Sequence, residues 1–260
     1  MPAAPNVFKA ALAKKQPQIG CWMNFGSTVG AELMTTTGFD WLVIDGEHGP
    51  NDLLSITDQL RVLHGTTSHA VVRVPVGEAW ILKQTLDAGA QTVLVPMVDT
   101  AQQAEAIVRA CHYAPDGIRG LGGIGARVTG FGSVTEYATT ANAQICVLVQ
   151  AETRAAISNL DDILAVDGVD GVFIGPADLS ADMGFPGNSD APEVQAVIED
   201  AIQRIAAAGK APGILTFSLQ HAQRYLSLGA TFVAVGIDTF VLATAARSLS
   251  AEAKSLLPKA

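Results

Sequence analysis

Eight short apolar runs recur along the chain with helical segments between them, and this spacing restricts the available folds more than any other feature. The runs are Ile19–Met23, Trp41–Asp45, Ala70–Val74, Thr92–Pro96, Ile145–Gln150, Gly171–Gly175, Ala211–Leu215 and Phe232–Gly236. Helical spacing appears from near Thr28, then at Leu53–Leu63, Ile81–Ala88, Ala101–Ala110, Ala155–Leu164, Pro192–Ala208 and Gln220–Leu228. Strands apolar along their whole length are buried on both faces, as a parallel sheet covered by helices requires. A doubly wound sheet more often has five or six strands and carries a phosphate loop after the first. Neither GxGxxG nor GxxxxGK[ST] occurs where it would be needed. Eight βα units instead predict an α/β fold of the (β/α)8 TIM-barrel type. The 260 residues form one barrel domain, 1–260, close to the usual length of about 250. The last segment, Thr239–Leu256, reads as a long amphipathic helix that either closes its own barrel or packs on a neighbour.

Composition narrows the class of partner. Hydrophobic residues make up 49% and charged residues 16%. With a mean hydropathy of +0.31, this predicts a large core and either an Ala-rich interior or a surface partly covered by other subunits. The formal net charge of −9, with no basic tract, argues against nucleic acid as a partner. Cys21, Cys111 and Cys146 have no metal-ligand spacing and read as buried thiols of a reducing compartment. No apolar run approaches the roughly 20 residues of a membrane helix, and Met1–Gln18 lacks a signal-type apolar stretch. The expectation is a cytoplasmic enzyme.

Charge collects where the strands end. A buried strand has little use for charge along its length, and in a barrel the C-terminal strand ends build the active site. The second run ends in Asp45, followed by Glu47 and His48; the third carries Arg73; the fifth leads through Gln150 to Glu152; the sixth is followed by Gly175-Pro176-Ala177-Asp178. Glu152 and Asp178 come from adjacent strands. They suit a hard divalent cation, or alternatively they cap the helical segments that follow them. A guanidinium at Arg73 needs an anion, either a protein carboxylate or a substrate carboxylate. His48, close to Asp45, is either a surface histidine or a proton carrier. The glycine-rich Gly117–Gly132 segment suits neither strand nor helix; its Arg119 and Arg127 fit a flexible connection, or anion contacts and a lid. Metal, base and carboxylate receptor together suit enolisation of a 2-oxo acid.

Several ordered strings carry a family resemblance. They are Trp41-Leu-Val-Ile-Asp-Gly-Glu-His48, Val72-Arg-Val-Pro75, Leu94-Val-Pro96, Gly117-Ile-Arg-Gly120, Val149-Gln-Ala-Glu-Thr153 and Val172-Phe-Ile-Gly-Pro-Ala-Asp-Leu-Ser180. Lys210–Leu215 and Phe232–Asp238 extend the match over nearly the whole chain. The chain resembles the HpcH/HpaI aldolase family, in particular its 4-hydroxy-2-oxoheptanedioate aldolase branch, with 2-dehydro-3-deoxyglucarate aldolase close by. The resemblance implies a class II pyruvate aldolase that uses Mg²⁺, Mn²⁺ or Co²⁺. It implies Glu152 and Asp178 as metal ligands, and Arg73 and Gln150 beside the keto oxygen. Backbone at Gly175, Pro176 and Ala177 would hold the pyruvate carboxylate. His48 is implied as acid/base with Asp45 as its partner, and Asp87 as a residue brought from an adjacent subunit. A hexamer, a trimer of dimers with exchanged C-terminal helices, is implied as well.

The expected activity is reversible cleavage of a 4-hydroxy-2-oxo acid to pyruvate and an aldehyde, either succinic semialdehyde or a small hydroxyaldehyde. No lysine ends a strand, and Lys83 and Lys210 lie elsewhere, so a Schiff base is not expected. The chain departs from the family pattern at Ala151, in the glycine-rich run Gly120–Arg127 and at Thr216-Phe217-Ser218, which puts the aldehyde in question. A lyase acting on acyl-CoA thioesters and a non-catalytic oxo-acid-binding protein are the alternatives. The first would call for a basic nucleotide-binding surface that the sequence does not plainly show.

Overall fold

The eight apolar runs form eight strands, because side chains on both faces of each find apolar partners. In a computed structural model that describes residues 1–258, these are β1 (Gln18–Met23), β2 (Trp41–Asp45), β3 (His69–Arg73), β4 (Thr92–Val95), β5 (Cys146–Ala151), β6 (Gly171–Ile174), β7 (Ala211–Leu215) and β8 (Phe232–Ile237). Their ends depart from the expected ones by at most one residue. All neighbours are parallel, and β8 pairs with β1 to close the barrel. The expected domain runs on to residues 259–260, which lie outside the described residues.

Strand parity divides the core in two. Trp22, Trp41, Val43, Val71, Leu94, Leu148, Phe173 and Phe232 point into the bore, where they pack as one cluster. Their neighbours Leu42, Ile44, Val72, Val147, Val149, Val172 and Ile174 face the surrounding helices. Phe232 fills the bore because Gly213 lies beside it: a Cβ there would run into the aromatic ring. The same alternation makes Asp45, Arg73 and Gln150 inward-facing, two residues beyond Val43, Val71 and Leu148. The polar rim is therefore the top layer of the bore.

Among the elements not expected from the sequence, one closes the floor of the barrel. Val7–Ala13 forms a helix whose N-cap, Asn6, accepts from the Lys9 amide at 2.9 Å. Its Phe8 is wholly buried under the barrel, with its ring 5.9 Å from Trp41, 6.0 Å from Phe232 and stacked at 5.2 Å on His69. Asn6 Nδ2 donates to the Gln91 and Gln144 carbonyls and to Thr92 Oγ1, which fixes the helix across the floor.

Two further segments differ from expectation. The helix read over Ala155–Leu164 is two short helices, Arg154–Ser158 and Leu160–Leu164. Asn159 separates them, and its Nδ2 is held at 2.8 Å by the Asp99 carbonyl. Pro176–Asp182 is a short helix directly after β6, with proline at its first position. The final helix, Asp238–Lys254, has one buried residue, Asp238; Phe240, Val241, Leu242 and Leu249 are exposed. Its first turn meets β1 and β8 and the Phe240 ring lies 5.0 Å from that of Phe217, but most of its length stays uncovered in the single chain. Among the described residues, no helix is long and apolar enough to cross a membrane.

Candidate active site

Asp45 ends β2 and is completely buried. Its carboxylate takes a bidentate pair from Arg73, with Nε donating to Oδ1 at 2.8 Å and Nη2 to Oδ2 at 2.7 Å. Oδ1 also accepts from the backbone amides of Glu47 and His48. Burial pushes the Asp45 carboxyl up, but the Arg73 hydrogen bonds and charge outweigh it and hold the group below the usual carboxylate range. Of the two anions open to Arg73, a protein carboxylate is in place. The guanidinium also lies over the Trp22 ring, 5.5 Å from its centroid, which gives it an aromatic floor.

His48 does not receive Asp45 at its ring. The aspartate reaches the backbone amide of His48, and its oxygens are already taken by Arg73 and two amides. The exposed imidazole instead has Nε2 3.8 Å from Glu47 Oε1. The pairing of Asp45 with the imidazole expected above is thus not the one found, because the turn after β2 folds back onto the aspartate.

Glu47 was seen in the sequence but given no role. Its Oε2 lies 2.7 Å from Arg73 Nη1, a charge contact not aligned as a hydrogen bond, so that buried oxygen lacks a donor. Burial pushes its carboxyl up, and the negative charges of Asp45 and Asp178 add to this against Arg73 and His48. Strand parity was the available signal: Glu47 is two residues beyond the inward-facing Asp45.

Glu152 follows β5 and is almost fully buried. Oε1 accepts from the Met97 amide at 2.7 Å, and Oε2 accepts from Gln150 Nε2 at 2.7 Å. It is therefore not a helix cap. Thr153 caps the next helix, accepting from the Ala156 amide at 3.0 Å. Met97 presents its amide from a left-handed backbone, φ 56°, a local strain that no sequence signal announced. Burial raises the Glu152 carboxyl, and the charges of Glu47 and Asp178 raise it further. Gly175 is required beside it, since a Cβ there would collide with the Glu152 carboxylate.

Asp178 stands exposed in the first turn of the Pro176–Asp182 helix, where no side chain makes a capping bond. Gly175 and Pro176 lead into that turn, and the amides of Ala177 and Asp178 lie before the helix's first internal hydrogen bond. Gln150 Oε1 is buried without a donor. A hard cation favours oxygen ligands and tolerates neighbouring carboxylates that otherwise repel. The buried Glu152, whose carboxyl is raised by burial and by the charge of Asp178, and the orphaned amide oxygen fit such an ion. Among the described residues, no three His, Cys, Asp or Glu side chains form a closed cage, so protein ligands alone would leave positions open.

Asp87 falls elsewhere. It ends the Ala79–Asp87 helix, which runs back from the mouth toward the barrel floor, and it accepts from Arg119 Nη2 at 2.6 Å. Arg119 is buried over the Tyr113 ring, and Arg127 donates to the Ala88 carbonyl. Both arginines of the glycine-rich segment are thus held by groups of their own chain, and two 3₁₀ turns, Gly123–Gly125 and Arg127–Thr129, shape the loop.

A cleft of about 470 Å³ adjoins the rim, lined in part by Pro176, Ala177, Leu215, Thr216, Phe217 and His221. Its other polar groups include Ser218, Asp190 and Tyr225, and among the described residues it has no lysine or arginine.

Known proteins are similar to this chain in sequence and fold. A hydroxypyruvate/pyruvate aldolase of Agrobacterium fabrum is 61% identical over 98% of this chain and 96% of its own. A 4-hydroxy-2-oxo-heptane-1,7-dioate aldolase of Klebsiella pneumoniae is 56% identical over 95% and 93%. The crystal structure of a HpcH/HpaI aldolase/citrate lyase family protein from Burkholderia cenocepacia superposes with a TM-score of 0.92 at 36% identity, covering 96% of this chain and 99% of that one. The model of the HpcH/HpaI aldolase/citrate lyase family matches residues 18–245. This chain belongs to that family and is a carbon–carbon lyase of the aldolase type.

Proposed function

We propose that the enzyme cleaves 4-hydroxy-2-oxo acids reversibly to pyruvate and an aldehyde with the help of a divalent cation. The observation that carries this is the convergence of Arg73 with Glu152 and Asp178 on one barrel mouth, above an aromatic floor. Glu152 and Asp178 would hold the cation, which when bound polarises the 2-oxo group as a Lewis acid. Of the five guanidinium N–H groups of Arg73, Asp45 engages two, and others remain for the oxygen on which charge grows. Gln150 stands beside that oxygen, and the amides at the start of the Pro176–Asp182 helix receive the carboxylate.

His48 takes the proton of the C4 hydroxyl. The C3–C4 bond breaks, its electron pair moves into the C2–C3 enolate, and C4 departs as the aldehyde carbon. Protonation at C3 then gives pyruvate, and the reverse order gives synthesis. No electron is gained or lost.

The aldehyde is a small hydroxyaldehyde in this reading. Succinic semialdehyde would bring a carboxylate to a cleft that offers hydroxyls, a histidine and Asp190 but no cationic partner. The kinship with a hydroxypyruvate/pyruvate aldolase points the same way. Oligomerisation completes the site: Asp87, remote from its own mouth, meets a neighbour's His48, and the uncovered Asp238–Lys254 helix is exchanged between barrels in a hexamer.

Chelation followed by readdition of Mg²⁺, Mn²⁺ or Co²⁺ tests the metal. Activity should vanish and return, and full activity after verified metal removal would refute the mechanism. An aldehyde panel with pyruvate as donor tests the acceptor, with hydroxyaldehydes expected to outrun succinic semialdehyde in kcat/KM.

A further inference from the structure

We infer that Glu47 is a positioning residue that links the oxyanion donor Arg73 to the proton carrier His48. The inference rests on the aldol reading above, which gives those two residues their tasks.

Asp45 fixes only one edge of the guanidinium, through Nε and Nη2. Nη1 lies on the other side, with Glu47 Oε2 at 2.7 Å. The second oxygen of the same carboxylate faces the imidazole, 3.8 Å from Nε2. One side chain therefore lies between the two groups that must act on the substrate, with one oxygen facing each. Asp45 does not do this: its four hydrogen bonds go to Arg73 and to two backbone amides, and none reaches the imidazole.

Neither contact of Glu47 is complete. Oε2 is buried without an aligned donor, and 3.8 Å at Oε1 is beyond hydrogen-bonding range. Catalytic hydrogen bonds are often long before substrate arrives and shorten in the reacting complex. A rotation of the exposed imidazole closes the second contact, whereas Asp45 keeps the guanidinium still. A carboxylate placed near Asp45 and Asp178 is also costly, and a simple structural ion pair to Arg73 would not require it, since Asp45 already supplies one. Glu47 thus holds Nη1 toward the developing oxyanion and steadies the imidazole toward the C4 hydroxyl.

The test uses the full-length, Mg²⁺-supplied enzyme, with cleavage of 4-hydroxy-2-oxovalerate and exchange of the pyruvate methyl protons into D₂O as readouts. Glu47→Gln keeps the shape and removes the charge. It should lower kcat by about 10- to 100-fold, as loss of an outer-shell partner does, while KM changes less than about 3-fold and Tm stays near that of the wild type. Double-mutant cycles with His48→Ala and Arg73→Lys should both be non-additive, the Glu47 effect shrinking when either partner is gone. Wild-type kcat in Glu47→Gln, a loss confined to KM, or additivity in either cycle would overturn the link. A wild-type enzyme that neither cleaves nor exchanges would instead refute the aldol reading itself, so the two failures are distinguishable.

Discussion

At the residue scale, the site is a set of buried charges whose neighbours decide their state. Asp45 is the clearest case. Its native carboxyl lies below the ordinary value of 3.8, so its contribution to stability is full above that value and is lost as pH falls through the lowered native one. Asp45→Asn should therefore flatten the acid limb of a Tm-against-pH curve. At neutral pH it should cost about 3 kcal/mol, because Arg73 then keeps a buried charge with one fewer partner. Urea titrations at pH 7 and in the acid range check both. Asp178→Ala should abolish Mn²⁺ binding by calorimetry together with cleavage, whereas His48→Ala should keep the metal and slow only the cleavage; metal binding intact in the first variant would remove Asp178 from the ligand set. Much of this site was readable in the residues, since inward parity at Asp45, Arg73 and Gln150 follows from counting along apolar strands. The Met97 amide was not, because a left-handed turn after Pro96 is imposed by the packed loop and leaves no mark in residue type.

At the scale of elements, strands were easier to read than helices. Eight continuous apolar runs announce themselves locally, and their closure follows from number and spacing. The Val7–Ala13 helix is short for its own propensity to stabilise, and it persists because Phe8 fits under Trp41 and Phe232, residues far away in sequence. Phe8→Ala should thus cost about 3 kcal/mol, read as a lower urea midpoint, with KM for the oxo acid unchanged. A changed KM would show that floor and mouth are not independent. The break at Asn159 escaped notice for a related reason: its partner, the Asp99 carbonyl, belongs to another βα unit.

For the whole molecule, the telling feature is the Asp238–Lys254 helix. It leaves Phe240, Val241, Leu242 and Leu249 in solvent in a single chain, and a covered surface was one of the two readings the apolar composition allowed. If the proposed hexamer forms, truncation after Thr239, or Leu249→Asp, should reduce it to smaller species in sedimentation velocity. Activity should fall with it if Asp87 serves a neighbour. A full-sized, active assembly from the truncated chain would exclude helix exchange. The departures at Thr216-Phe217-Ser218 lie on the adjoining cleft, so sequence could flag the acceptor region but not its volume or its lack of a cation.

The plug beneath the barrel has a practical corollary. With Phe8 and Asn6 fastening the floor and Trp22, Leu148 and Phe173 filling the bore above them, the barrel is a packed core whose top layer is the polar rim. The Phe8 floor and the cleft proposed to receive the aldehyde therefore lie at opposite ends of the strands. If the cleft receives the aldehyde as proposed, substitutions at Thr216, Phe217 and Ser218 should change acceptor choice while leaving the packing of Phe8 at the floor in place.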